Sequence, residues 1–163
     1  MISVLDIETT FTEDGDNTPY NLRNKLVSVG VNDEYLFFNH DDFTGDIRTS
    51  HNAVQSILDK TTLLVGHNLK FDLSWLLECG FKYEGKVWDT MVAESVLFRG
   101  QRRPLSLKEC CRRRKIGIKY ATLENAIDSG IGMDKIPIKD LETYGRNDVT
   151  ITKDLYLQQD LDA

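Results

Sequence analysis

The sequence predicts an α/β fold, a mixed sheet that opens with an antiparallel meander and is flanked by helices. Three strand-like segments come first, Ile2–Ile7, Leu26–Val31 and Tyr35–Asn39, and strand and helix then alternate to the end of the chain. The apolar spacing changes accordingly, from runs and alternation to a period near 3.6.

Ile2–Ile7 reads as the first strand, and Thr9–Asn24 as a polar loop holding Gly15 and Pro19. The next two strands are parted by Asn32-Asp33-Glu34 and form a hairpin. Ser50–Lys60 places Ala53, Val54, Ile57 and Leu58 at helical spacing. Leu63-Leu64-Val65 suits a strand buried on both faces. A helix from Asn68 to Cys79 would bury Leu69, Leu73, Leu76 and Leu77 and stop at Gly80. Val87-Trp88 is a short strand, and Asp89 the N-cap of a helix reaching Phe98. Ser106 and Glu109 have capping-box spacing for a helix ending near Gly117. The last helix, Pro137–Gln159, would turn Leu141, Ile151 and Leu155 inward. Without repeat, low-complexity tract or linker, residues 1–163 are expected to form a single domain.

Composition narrows the function classes. With 40% hydrophobic and 28% charged residues the chain is globular rather than disordered, and no apolar run could span a bilayer. Three cysteines, Cys79, Cys110 and Cys111, suit reduced thiols and a cytoplasmic setting and lack metal-ligand spacing. Net charge is −6, but Arg99–Lys119 holds nine Lys or Arg against Glu109 alone, which is +8 and leaves −14 elsewhere. Such a segment can face a polyanion, or be a solvated helix surface, since Arg112, Arg113 and Arg114 cannot share one helix face.

Three places look chemical. Asp6 and Glu8 lie two apart on the first strand, so both project to one face near its C-terminal end, where open α/β sheets bind ligands. Two buried carboxylates side by side call for a cation. If the strand ended early, Glu8 would be only a loop residue. Asp72 sits beside the buried stripe of its helix, at i+3 from Leu69 and i−4 from Leu76. Tyr144 and Asp148, at i and i+4, share a helix face that runs on to Ile151 and Leu155.

"DIET", "GHNLKFD" and "YGRND" stand in this order along the chain. Together they resemble the three motifs of the DEDDy 3′–5′ exonucleases of the DnaQ-like, ribonuclease H-like superfamily. The nearest likeness is to proofreading domains of family A DNA polymerases. It extends through "VWDTMVAESVL" and "LSLKECC" and covers Ile2 to about Leu157. Thr143 stands where histidine-type relatives have their His, and Tyr144 one position later, which marks the tyrosine subtype.

The resemblance implies hydrolysis with two divalent cations, Mg²⁺ or Mn²⁺, and a set of oxygen-only ligands agrees with that. It makes Asp6, Glu8, Asp72, Tyr144 and Asp148 catalytic. Asp6 would bridge the cations, Glu8 and Asp148 complete one site, Asp72 reach the other, Tyr144 orient the attacking water, and Glu8 hold the terminal 3′-hydroxyl. Substrate-binding positions would be Thr9, His67, Asn68 and Phe71, with Arg99, Arg102 and Arg103 meeting phosphates. Phe71 could stack on a base or simply pack. Asp89 remains an N-cap, and "EDGDN", Glu13 to Asn17, a turn without EF-hand spacing.

The expected substrate is the 3′ end of single-stranded DNA, with a polymerase domain in cis as partner. The chain would then be the N-terminal piece of a phage-like polymerase, with a small standalone exonuclease as the other reading. An RNA exonuclease of the ribonuclease D or oligoribonuclease kind is the alternative substrate class. A silent binding domain would be expected to have lost ligands that are all present here. A metal-stabilised structural domain would not need Tyr144.

Overall fold

The computed structural model describes residues 1–117 and 130–163; Lys119, last of the basic run, falls outside them. The strands are β1 (Ile2–Thr9), β2 (Leu26–Val31), β3 (Glu34–Phe37), β4 (Leu63–Gly66) and β5 (Lys86–Asp89). They form one sheet in the order β3-β2-β1-β4-β5. β1 to β3 pair antiparallel, while β1–β4 and β4–β5 pair parallel, so the expected mixed sheet with its initial meander is present.

The hairpin turn is tighter than expected. Val31 pairs with Glu34 across Asn32 and Asp33, and Asn32 takes φ 54°, left-handed backbone that Asn tolerates. Its side chain also pins the turn to β1, accepting from the Val4 amide at 2.9 Å and donating to Ser3 Oγ at 3.2 Å. β3 therefore begins at Glu34. It ends at Phe37, although the Phe38 and Asn39 amides still donate to the Val27 and Leu26 carbonyls.

β1 runs two residues past its expected end, so Glu8 lies on the strand and pairs with Ser28; a register shift follows between Glu8 and Thr9. Alternation along β1 divides the core. Leu5 and Ile7 join Val54, Leu58, Leu69 and Leu76 on one face, whereas Val4 joins Val65, Val149 and Tyr156 on the other. Asp6 and Glu8 extend the Val4 row.

The helices among the described residues are α1 (Ile47–Lys60), α2 (Leu69–Glu78), α3 (Thr90–Leu97), α4 (Leu107–Arg113) and α5 (Ile138–Asp162). α1 starts before Ser50 because the Asp46 carboxylate accepts from the Arg48 amide at 2.9 Å. Ser106 caps α4, accepting from the Glu109 amide as the capping-box spacing predicts. α4 stops at Arg113 rather than near Gly117, because Lys115 turns left-handed and the Ile116 amide closes on the Cys111 carbonyl. On α2 the buried residues are Leu69, Asp72, Trp75 and Leu76. Leu77, expected inside, is 61% exposed, since one step along a helix rotates it about 100° from Leu76.

α5 covers the Val4 face and approaches the sheet closely. A Cβ on Gly30 would lie 2.9 Å from Val149, and one on Gly145 would collide with the Tyr35 ring. Two glycines thus set the height of Tyr144 and Asp148 above β1.

Part of the basic segment is structural. Glu94 of α3 is wholly buried; its carboxylate meets Arg114 at 2.9 Å and Arg113 at 3.5 Å and accepts from Gln159 at 3.2 Å. Arg114 also meets Asp162 at 2.7 Å. Arg113 and Arg114 are therefore not solvated surface, while exposed Arg112 meets Glu109 at 3.5 Å. Glu94→Ala would remove the buried carboxylate that Arg113 and Arg114 share and leave Arg114 with Asp162 alone of the two acids. Urea unfolding should show a loss of about 3–5 kcal/mol; a change under about 1 kcal/mol would show that this pairing is not needed. No helix among the described residues is long and apolar enough to cross a membrane.

Candidate active site

The C-terminal ends of β1, β4 and β5 lie at one edge of the sheet. There Asp6, Glu8 and Asp148 each offer a carboxylate oxygen, all within 4.8 Å of one another. Asp6 and Glu8 are half-buried and Asp148 is 4% exposed. Tyr144, one helical turn before Asp148, is likewise buried. Residues 140 positions apart in sequence thus converge because α5 lies across the face on which Asp6 and Glu8 project.

Asp72 arrives from the first turn of α2. Burial first, then the carboxylates of Asp6 and Asp89, push its carboxyl well above the ordinary range of 3.8. Its Oδ2 is buried and accepts no hydrogen bond from the described residues. A buried acid with an idle oxygen beside another acid is a liability in a metal-free fold and a ready ligand in a metal-bound one.

Asp89 does more than cap one helix. It accepts from Met91 at the start of α3 and, with both oxygens, from the Asn68 and Leu69 amides at 2.9 Å. One carboxylate caps two helices and thereby fixes where α2 begins. Asn68 takes φ 61° there and is exposed. Phe71 is partly buried and packs against the core. Thr9 is buried beyond the register shift. Arg99, Arg102 and Arg103 are exposed between α3 and α4. His67, expected to contact substrate, has both ring nitrogens engaged inside the fold, Nδ1 by the Thr90 hydroxyl at 2.8 Å and Nε2 by the Leu105 carbonyl at 2.7 Å.

Ser28 and Tyr35 went unread in the sequence. Asp6 pairs with Gly30 and Gly30 with Tyr35, while Glu8 pairs with Ser28, so both hydroxyls share the face of the acids. Ser28 Oγ and Tyr35 Oη are 2.8 Å apart. Burial, then the negative charge of Glu8, with smaller effects of Asp6 and Asp148, raises the Tyr35 phenol, which therefore stays protonated. The alternating hydroxyls of the hairpin were the available signal, but assigning their face required the register.

The chain matches the model of a family described as 3′–5′ exonuclease over residues 5–161. Among solved structures it is similar to Brucella melitensis NrnC with bound Mg²⁺, at 20% identity and TM-score 0.65 over 99% of this chain and 72% of that one. Brucella melitensis NrnC bound to pGG gives 21% identity and TM-score 0.66 over the same shares. A structure described as the apo form of the nuclease gives 19% and 0.64, covering 97% of this chain and 70% of that one. These are likenesses of fold. No curated protein matches the sequence.

Proposed function

Because the chain belongs to the 3′–5′ exonuclease family, we propose that it removes nucleoside monophosphates from the 3′ ends of short single strands, RNA ahead of DNA, using two divalent cations. The observation that carries this reading is the meeting of Asp6, Glu8 and Asp148 within 4.8 Å, with Asp72 buried beside them. The preference for RNA departs from the expectation of polymerase proofreading. It leans on the fold likeness to NrnC, seen with pGG bound. The partner this reading needs is a strand end rather than a polymerase domain.

The donor set fits Mg²⁺ or Mn²⁺. Its members are carboxylates, without Cys or His among them, and the idle Oδ2 of Asp72 provides a further oxygen. Asp6, Glu8 and Asp148 would hold one cation, and Asp6 with Asp72 the other. Bound cations would polarise the scissile phosphate and make water a stronger nucleophile near neutral pH.

The remaining work belongs to side chains. Tyr144, buried one helical turn before Asp148, orients the attacking water by hydrogen bonding. Glu8 accepts from the terminal 3′-hydroxyl, which restricts attack to an end. Water adds at phosphorus and the bond to the 3′ oxygen breaks, leaving a shortened strand with a 3′-hydroxyl and a 5′-monophosphate.

Matched 5′-labelled RNA and DNA oligomers in one time course with Mg²⁺ or Mn²⁺ test this. Stepwise shortening from the 3′ end, faster on RNA, is expected; intact oligomers would refute hydrolysis, and faster DNA cleavage would reverse the substrate order. Tyr144→Phe should lower kcat by about 10- to 100-fold with KM within about twofold, since only an orienting contact is lost. An unchanged kcat would remove Tyr144 from the mechanism.

A further inference from the structure

His67 and the exposed arginines belong to one device. His67 directly follows β4, and its imidazole spans two other elements. The Leu105 carbonyl can only accept, so Nε2 carries the hydrogen and donates it across 2.7 Å. Nδ1 lies 2.8 Å from the hydroxyl of Thr90, the first residue of α3, which also donates to the Gly66 carbonyl at 3.2 Å. One ring therefore ties the segment between α3 and α4 to the sheet edge that holds the acids.

The same segment is braced from its other side. Arg113 donates to the Pro104 carbonyl at 2.5 Å, and the guanidiniums of Arg103 and Arg113 lie 4.8 and 5.3 Å from the Phe98 ring centre. Left-handed backbone at Arg99 and Gly100, φ 54° and 72°, turns the chain sharply out of α3. The result is a loop fixed at both ends that keeps Arg99, Arg102 and Arg103 exposed. Among the described residues no acid forms an ion pair with any of these three, whereas Arg113 and Arg114 are held by Glu94. In an acidic protein, this loop gathers three exposed cations.

The geometry points to the 99–105 loop as a phosphate clamp for the substrate strand, gripping phosphates other than the scissile one, with His67 as the positioning residue that sets its place against the acid cluster. The inference rests on the nuclease reading for its substrate, but the two are separable by experiment.

The test measures binding and turnover apart, using a short 5′-labelled RNA. Fluorescence anisotropy in EDTA gives Kd, and initial rates in Mg²⁺ or Mn²⁺ give kcat and KM, both over a range of KCl concentrations. R102A/R103A should raise Kd and KM about tenfold. It should also flatten the plot of log Kd against log salt by about 1.4, two contacts at roughly 0.7 each, with kcat within about twofold. H67A should show the same pattern. H67Q should restore it, because its amide can donate to the Leu105 carbonyl and hydrogen-bond the Thr90 hydroxyl. Unchanged Kd and salt slope in R102A/R103A would overturn the clamp. A kcat loss in H67A with Kd and slope unchanged would overturn the positioning role. Wild-type protein that binds without cleaving would sink the nuclease reading while the clamp is still judged by Kd; wild-type protein that does not bind would overturn both.

Discussion

Asp6→Ala abolishes hydrolysis and leaves the protein folded. Asp6 sits in the carboxylate cluster with Glu8 and Asp148, and its charge also acts on Asp72. Its loss therefore weakens both proposed cation positions at once. Cation stabilisation of the transition state is worth several kcal/mol, and each 1.36 kcal/mol is a factor of ten in rate, so a fall of about 10³-fold or more is expected. The fold should tolerate the change, because Asp6 is half-buried near the C-terminal end of the central strand and belongs to neither the Leu5 nor the Val4 cluster. Removing one of several crowded carboxylates also relieves repulsion, so the melting temperature without metal should hold or rise. Rates from a labelled oligomer and thermal melts in EDTA decide it. A variant that unfolds would make Asp6 structural, and one retaining activity would move the chemistry elsewhere.

Asp72→Asn raises the stability of the metal-free protein at neutral pH while destroying most of its activity. The folded-state value of Asp72 lies above the unfolded one of 3.8 through burial and the neighbouring Asp6 and Asp89. The folded state therefore binds more protons than the unfolded state between those two values, and stability falls as pH rises through that window. At neutral pH, above the unfolded value, the wild type bears this penalty and the amide does not. Each kcal/mol relieved corresponds to about 2–4 °C in a chain of this size, so a rise of a few degrees is expected in EDTA. The gap between the two proteins should close as pH falls towards the ordinary carboxylate range. Mg²⁺ should stabilise the wild type more than the variant, because the idle oxygen of Asp72 would then have a partner. Equal melting temperatures at neutral pH in EDTA would argue against a strained carboxyl at this position.

Much of the fold was legible because its signals are local. The hairpin after Val31, the caps at Asp89 and Ser106, and the apolar spacing of Leu141, Ile151 and Leu155 each act within a few residues and stand where expected, the turn being one residue shorter. Boundaries slipped where tertiary partners decide. β1 extends to Thr9 because Ser28 is there to pair with Glu8, and α4 ends at Arg113 because Lys115 turns left-handed. Leu77 was misplaced because a run of leucines does not say which one the sheet will cover.

The sequence by itself determined which acids could form the site, since strand alternation puts Asp6 and Glu8 on one face and helical spacing puts Tyr144 with Asp148. Only the tertiary structure decided what surrounds them. Gly30 and Gly145 let α5 descend onto Tyr35, Asp89 caps two helices, His67 turns inward to hold the arginine loop, and Glu94 draws Arg113 and Arg114 away from the surface. Those pairings join residues far apart in the chain. Spacing encodes geometry within one element, whereas the partner of a buried charge or an imidazole depends on which elements pack together.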